Sequence, residues 1–273
     1  NAVSSRLVSD VPLGFFLSGG LDSSIVVGSA AQISTSKLKT FSIGFEEASY
    51  NELKYANAIA RHFGTDHEEF IVTADLTGDL ESIVRFADEP FADSSMIPMY
   101  YLSRQTSQHV TVALTGDGGD EAFGGYDRYI GLKIASKYHN VPSFVRKNLI
   151  SPLTKMIRES PGKRSNLRRI KRLTYPATNS PAEWYMGWMQ QIRPESHIDA
   201  FTPDFASAIS LKGGWNNHVS AAFQKFGDSN TPRSAQWVDS ITYLPGDLMV
   251  KADRMSMAHG LEVRSPFLDH NLL

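Results

Sequence analysis

The sequence predicts an α/β fold: a mostly parallel sheet with helices on both faces, followed by a helical lobe. Three observations carry that expectation. Over residues 1–137, apolar strand-like segments alternate with amphipathic helix-like ones, the rhythm of βαβ units. Two strand-like segments end abruptly in strings of glycine, hydroxyl and acid, Ser18–Ser24 and Thr115–Glu121. From Tyr138 the rhythm is lost, and the chain reads as helical and richer in Pro, Trp and Arg.

The elements follow in order. Leu13–Leu17 reads as a buried strand and Leu21–Gln32 as a helix with apolar residues at helical spacing. Lys39–Phe45 reads as a second strand. In Asn51–Phe63, Leu53, Ala56, Ile59, Ala60 and Phe63 share one helical face, and Gly64 stands at the C-terminal cap position. His67–Val72 is a third strand, Leu76–Phe86 and Met96–Ser107 are helices, and Val110–Leu114 is a buried strand. Residues 138–273 are expected to form the helical lobe and return to the site, Leu248–Met257 being a helix whose methionines serve the core.

Composition excludes several classes. The 273 residues, 41% hydrophobic and 21% charged, describe an ordinary globular chain. A net charge of -2 gives no global reason to bind nucleic acid or a membrane. The basic stretch Arg146–Arg172 is read as a solvated face. No apolar run reaches the roughly 20 residues of a membrane span, and no signal peptide is evident. Zero cysteines remove disulfides, thiolate metal sites and a cysteine nucleophile from this chain. A cytoplasmic enzyme is the expectation. The chain begins without methionine and stops in Asn271-Leu272-Leu273, which reads as a piece of a longer polypeptide.

The first string, Ser18-Gly19-Gly20-Leu21-Asp22-Ser23-Ser24, sits at a strand-to-helix turn. Glycines let the backbone approach a ligand closely, and the helix start offers unpaired N–H groups to an anion. Asp22 beside a phosphate is repulsive unless a divalent cation lies between them. The local expectation is a magnesium-bearing phosphate site. It lacks the spacing and lysine of a Walker loop. The alternative is a serine-capped tight turn. The second string, Thr115-Gly116-Asp117-Gly118-Gly119-Asp120-Glu121, makes a poor helix and a poor strand. Its crowded acids need cations or donors and suit a metal and substrate-orienting role.

The first string resembles the pyrophosphate loop of N-type ATP pyrophosphatases. Together with Asp10–Gly14, Leu114–Tyr126, Val250–His259 and Glu262–Asp269 in that order, it resembles the synthetase domain of glutamine-hydrolysing asparagine synthetase over nearly the whole chain. The resemblance implies an adenine nucleotide alpha hydrolase-like fold and a ligase that adenylates aspartate, releasing pyrophosphate from ATP. Ammonia then displaces AMP. That ammonia would come from glutamine, through a separate N-terminal glutaminase domain.

By the same resemblance, Ser18, Gly19, Gly20, Leu21, Asp22 and Ser23 hold ATP and its pyrophosphate, and Leu17, Ile43, Thr115 and Gly116 surround the adenosine. Asp22 and Asp120 hold Mg2+. Asp117 is the catalytic acid that handles ammonia and its protons. It stands where many members have glutamate, a carboxylate set back by roughly 1.5 Å. Asp247 and Asp253 are supporting candidates, and His259 is structural. Asp88–Ser95 is either a capped helix start or a wall of the acceptor pocket. The family's catalytic lysine, beyond Asp269, falls outside this chain. A second copy of the chain as a homodimer partner stays open. So do a β-lactam-forming or cell-envelope acceptor, a non-catalytic nucleotide-binding homologue and a tRNA-modifying ATP pyrophosphatase.

Overall fold

The computed structural model describes residues 1–45, 51–72, 76–150, 152–153, 181–189, 201–211, 217–227 and 231–273. The chain divides into two compact units, Asn1–Phe123 with Leu244–Leu273, and Gly124–Tyr243. The sequence placed the boundary at 137/138 and assigned everything beyond it to one lobe. The compact units break fourteen residues earlier, and the last stretch belongs with the first unit.

The first unit is built on a five-stranded, all-parallel sheet of order β3-β2-β1-β4-β5. Its strands are β1 (Leu13–Phe16), β2 (Lys39–Phe45), β3 (Asp66–Val72), β4 (Val112–Leu114) and β5 (Glu262–Arg264). The registers run Phe15 against Thr40 and Leu114, and Leu114 against Arg264. Both faces of the sheet are covered, so successive residues of β1 and β4 are all apolar. Phe15, Leu17, Val112 and Leu114 pack with Val26, Val27 and Ala30 of α2 (Leu21–Ile33) and Ala56 and Ala60 of α3 (Leu53–Phe63). The intervening Phe16 and Ala113 face the opposite layer, with Phe41, Val110 and Leu261. That layer includes Met99 and Leu102 of α5 (Met96–Thr106). The helices α1 (Ala2–Arg6), α4 (Leu76–Ala87) and α6 (Gly119–Phe123) complete its first segment. Gly64 closes α3 in the left-handed conformation, φ 64°, as its position predicts.

One element corrects the sequence expectation and a second refines it. β5 lies in the stretch read as having no strand, and it extends the sheet beside β4. Glu262-Val263-Arg264 has one apolar residue, so it shows no hydrophobic alternation. The expected helix Leu248–Met257 is a π-helical turn, Leu244–Leu248, running into an α-helix, Met249–Met257. Met255 of that helix is buried, whereas Met257 is exposed.

The second unit is helical among the described residues: α7 (Asp127–His139), α8 (Ser143–Val145) with a π-helical turn to Ile150, α9 (Pro181–Met189), α10 (Pro203–Leu211), α11 (Asn217–Phe226) and α12 (Pro232–Ile241). Helix Met249–Met257 of the first unit is then α13. Tyr129, Leu132, Tyr185, Phe223 and Val238 form the second unit's core. Thr231 caps α12 by accepting the Ser234 N–H, with Pro232 at the first turn. Arg146 is buried, its Nε donating to the Val141 carbonyl, so it is no part of a solvated face. Lys155, Arg158 and the rest of the basic stretch to Arg172 lie outside the described residues. Among the described residues no helix is long and apolar enough to cross a membrane.

Candidate active site

β1 and β4 are adjacent central strands, and the connections leave them in opposite directions across the sheet. The carboxyl ends of two such strands bound the crevice where open α/β sheets take ligands. Both glycine- and acid-rich strings emerge at this point.

The turn after β1 is prefolded by its own hydroxyls. The Ser18 N–H donates to Ser23 Oγ at 3.3 Å, the Ser18 and Ser23 hydroxyls share a 3.0 Å bond, and the Gly20 N–H donates to Ser18 Oγ at 3.1 Å. Ser24 Oγ donates to the Gly20 carbonyl at 2.6 Å. Gly19 has φ 76°, and a Cβ there would lie 2.4 Å from the backbone of Tyr55 and Ala56. No other residue fits that position. The first backbone bond of α2 is Ser24 N–H to Gly20 carbonyl, 3.1 Å. The N–H groups of Leu21, Asp22 and Ser23 therefore lie in the unpaired first turn, open to an anion. Leu21 is an exposed apolar side chain beside them.

The loop after β4 folds against the same turn. A Cβ on Gly116 would meet Ser23 N at 2.8 Å, and one on Gly119 would meet Asp22 Cγ at 2.5 Å. Asp22 thus sits directly over the Asp117–Asp120 string, at a distance only glycines permit. Burial, then the charges of Asp120 and Asp117, push the Asp22 carboxyl above its ordinary range. Asp117 is also pushed up. Its burial outweighs the Thr115 hydrogen bond and the Lys251 charge, and Asp120 adds to the rise. Thr115 Oγ1 donates to Asp117 Oδ2 at 3.0 Å. The Thr115 N–H donates to the Arg264 carbonyl at 2.9 Å, and the Ser265 hydroxyl donates to the Asp117 carbonyl. β5 and the residues after it therefore hold this loop in place.

A cavity of about 670 Å3 reaches Asp117 from the β5 side; its walls include Thr115, Asp117, Met249, Ala252, Asp253 and Ser265. Asp253, a supporting candidate, is thus brought to the site. Asp247 lies half-buried in the π-helical turn and does not line that cavity. Leu17 and Ile43 are brought to the strand ends with their side chains in the core. The Leu17 N–H is bonded to the Phe41 carbonyl at 2.9 Å, and its carbonyl accepts from Ser42 Oγ. Among the described residues, no three His, Cys, Asp or Glu side chains are gathered as a metal-binding group.

Sequence reasoning missed Lys251. Its Nζ donates to Asp93 Oδ2 at 2.8 Å and to Ser95 Oγ at 2.6 Å, and its charge reaches Asp117. Asp93 also accepts the Ser95 N–H at 2.9 Å and its hydroxyl at 2.7 Å. The Asp88–Ser95 segment is accordingly both a helix start and a charge partner of α13. His259 packs on Tyr100, ring centroids 4.3 Å apart. Its burial and the Arg104 charge lower its pKa against the opposing charge of Asp79, and it does not line the cavity beside Asp117.

The asparagine synthase family matches residues 1–273, the whole chain. This chain belongs to the asparagine synthase family. An asparagine synthetase (glutamine-hydrolyzing) 1 of Bacillus subtilis is 33% identical over 270 residues, 98% of this chain and 40% of its own length. Asparagine synthetase (glutamine-hydrolyzing) 3 of the same organism is 28% identical over 295 residues, 100% of this chain and 40% of its own length. The Lotus japonicus asparagine synthetase (glutamine-hydrolyzing) 1 is 36% identical over 138 residues, 46% of this chain and 23% of its own. The chain spans about 40% of the length of the two Bacillus relatives it matches.

Proposed function

We propose that this chain adenylates a carboxylate, aspartate first among candidates, and passes the acyl group to ammonia released from glutamine by a separate N-terminal glutaminase domain. One observation carries the proposal. The Ser18–Ser23 turn and the Asp117–Asp120 loop meet over glycines at the carboxyl ends of β1 and β4. An anion cradle and a carboxylate cluster are thereby placed side by side.

The chemistry divides between the two loops. In the first step a carboxylate oxygen bonds to the α-phosphorus as the bond to the bridging oxygen breaks. Pyrophosphate leaves with the electron pair. Ser18, Gly19, Gly20 and Ser23, with the first-turn N–H groups of α2, receive that pyrophosphate. The adenosine lies along Leu17, Ile43, Thr115 and Gly116. In the second step ammonia attacks the acyl carbon, AMP leaves with the electron pair, and Asp117 takes the proton from nitrogen. The cavity on the β5 side gives ammonia room to approach Asp117, with Asp253 on its wall.

Mg2+ fits the donor set. The Asp120 charge adds to the cost of ionising Asp22, and a divalent cation would relieve it. Magnesium is usually held by one or two carboxylates plus substrate phosphates and water, so a three-residue protein cage is not required. Asp22 and Asp120 would hold it, and it would neutralise charge on the departing pyrophosphate.

The test is pyrophosphate release by the full-length protein over a panel of carboxylates, aspartate included, with the nucleotide product identified. AMP with amide is expected. ADP, or no release with any carboxylate, would refute the proposal. The replacement of glutamate by Asp117 favours one second reading, the same adenylation with a different carboxylate, and the panel decides between them.

A further inference from the structure

Three acids, Asp22, Asp117 and Asp120, crowd the crevice. Magnesium held by Asp22 and Asp120 would offset those two acids and the phosphates, which leaves Asp117 facing an acceptor carboxylate that enters there. The acceptor needs its own cation on a rigid element.

Lys251 has the right properties. It stands on α13 in the same compact unit as the acids, and its side chain is only 13% exposed. An ammonium has three N–H donors. Two are fixed, to Asp93 at 2.8 Å and to Ser95 at 2.6 Å. Among the described residues the third has no protein acceptor. Asp93 and Ser95 bind each other and precede α5, so the cation is held by a closed triad rather than swinging free. Lys251 does not line the cavity beside Asp117, whereas Met249, Ala252 and Asp253 of the same helix do.

Resting on the amide-forming function proposed above, we infer that Lys251 binds the acceptor's carboxylate through its third N–H donor, with Asp93 and Ser95 as the frame that aims it. The lowering influence of the Lys251 charge on Asp117 agrees with this nearness. The ligand class is a carboxylate small enough to reach both Lys251 and the α-phosphate.

The competing role is a tether, in which the Lys251–Asp93 pair only pins residues 88–95 to α13. Asp93 separates the two. Asp93→Asn removes the ion pair and keeps the cation, whereas Lys251→Met removes the cation. In full-length protein, pyrophosphate release is followed against the concentration of aspartate, or of whichever panel carboxylate supports it, with ATP affinity measured by calorimetry. For Lys251→Met the expected result is a carboxylate KM raised about tenfold or more, the loss of one charge-assisted bond, with ATP affinity nearly unchanged. Asp93→Asn, which loosens the frame and keeps the cation, should raise the carboxylate KM by less than Lys251→Met does, and Lys251→Arg should recover part of the loss. The inference is overturned by an unchanged KM in Lys251→Met, by equal defects in Lys251→Met and Asp93→Asn, or by loss of ATP binding in the folded variant. Should Lys251→Met fail to fold, Lys251→Arg takes its place. Its repositioned donors must then shift the carboxylate KM and not the ATP affinity. A parent protein that releases no pyrophosphate with any carboxylate overturns the proposed function itself, an outcome distinct from each of these.

Discussion

Two clusters of charge, one in each compact unit, are built on opposite rules. In the second unit Asp239 is almost wholly buried, and its Oδ2 accepts from Arg128 Nη2 at 2.7 Å, Arg128 Nε at 3.1 Å and the Tyr129 hydroxyl at 2.7 Å. The guanidinium lies 3.5 Å from the Tyr126 ring centroid and 4.8 Å from that of Tyr243. Every charge there meets its opposite. In the first unit the charges of Asp117 and Asp120 raise the cost of ionising Asp22, and that of Asp120 raises it for Asp117. A cation arriving with the ligand would offset that crowding. A paired buried charge maintains a fold, and a crowd of like charges in a crevice marks chemistry.

The contrast is broken or sharpened by four substitutions. The largest effect belongs to Asp239→Ala, which leaves the Arg128 guanidinium without its carboxylate. A stability loss of about 3–5 kcal/mol is expected by chemical denaturation, and a loss below about 1 kcal/mol would mean the pair is not structural. Next comes Asp117→Asn, which keeps shape and removes the proposed base. Amide yield should fall about 10²-fold while ATP affinity, read by calorimetry, stays close to parental. Parallel loss of both would move Asp117 into the metal site.

Asp22→Asn should weaken magnesium-dependent ATP binding by roughly ten- to a hundredfold, taking the cost of a disturbed metal site as guide. It should not lower the melting temperature at neutral pH. The sign follows from linkage. Asp22 has a raised folded pKa, so the fold favours its protonated form, and its ionisation works against stability as pH rises past 3.8. A destabilised Asp22→Asn would show that the carboxylate has an internal partner. The smallest effect is Thr115→Val. A raised Asp117 pKa places the acid limb of amide synthesis above the ordinary carboxylate range, with activity lost as pH falls through it. Removing the Thr115 donor, which opposes that rise, should move the limb to still higher pH. A limb that stays in place or moves down would detach the limb from Asp117.

Much of the first unit was legible because local signals agree with the fold. β1 and β4 are short apolar runs that stop at glycine and acid, and α3 carries its apolar face and its Gly64 cap in plain sequence. What was not legible depends on distance along the chain. β5 gains its identity from pairing with β4, 150 residues earlier in register, and a single valine cannot announce it. Nothing local marks Lys251 until Asp93, 158 residues away, is brought to it. The edge of the compact units at 123/124 was hidden for a related reason. α7 continues the helical periodicity of the first half, yet Tyr129 and Leu132 bury themselves among Tyr185, Phe223 and Val238, partners that no local pattern names.

The pairing of Arg128 with Tyr126 and Tyr243 has a consequence for the order of assembly. β5 can join β4 only after the chain has closed a loop through residues 124–243. For an unstructured loop of that length, the length-dependent entropy cost is about 4 kcal/mol. Tyr126 and Tyr243 stand at the two ends of that segment with ring centroids 6.3 Å apart. A segment that folds first therefore brings its own ends together, and the last strand meets the sheet as if the intervening residues were a short turn. Until then the free edge of β4 remains open to pairing with another chain. Loosening the clasp should show itself first as slow refolding and aggregation, before any loss in the finished protein.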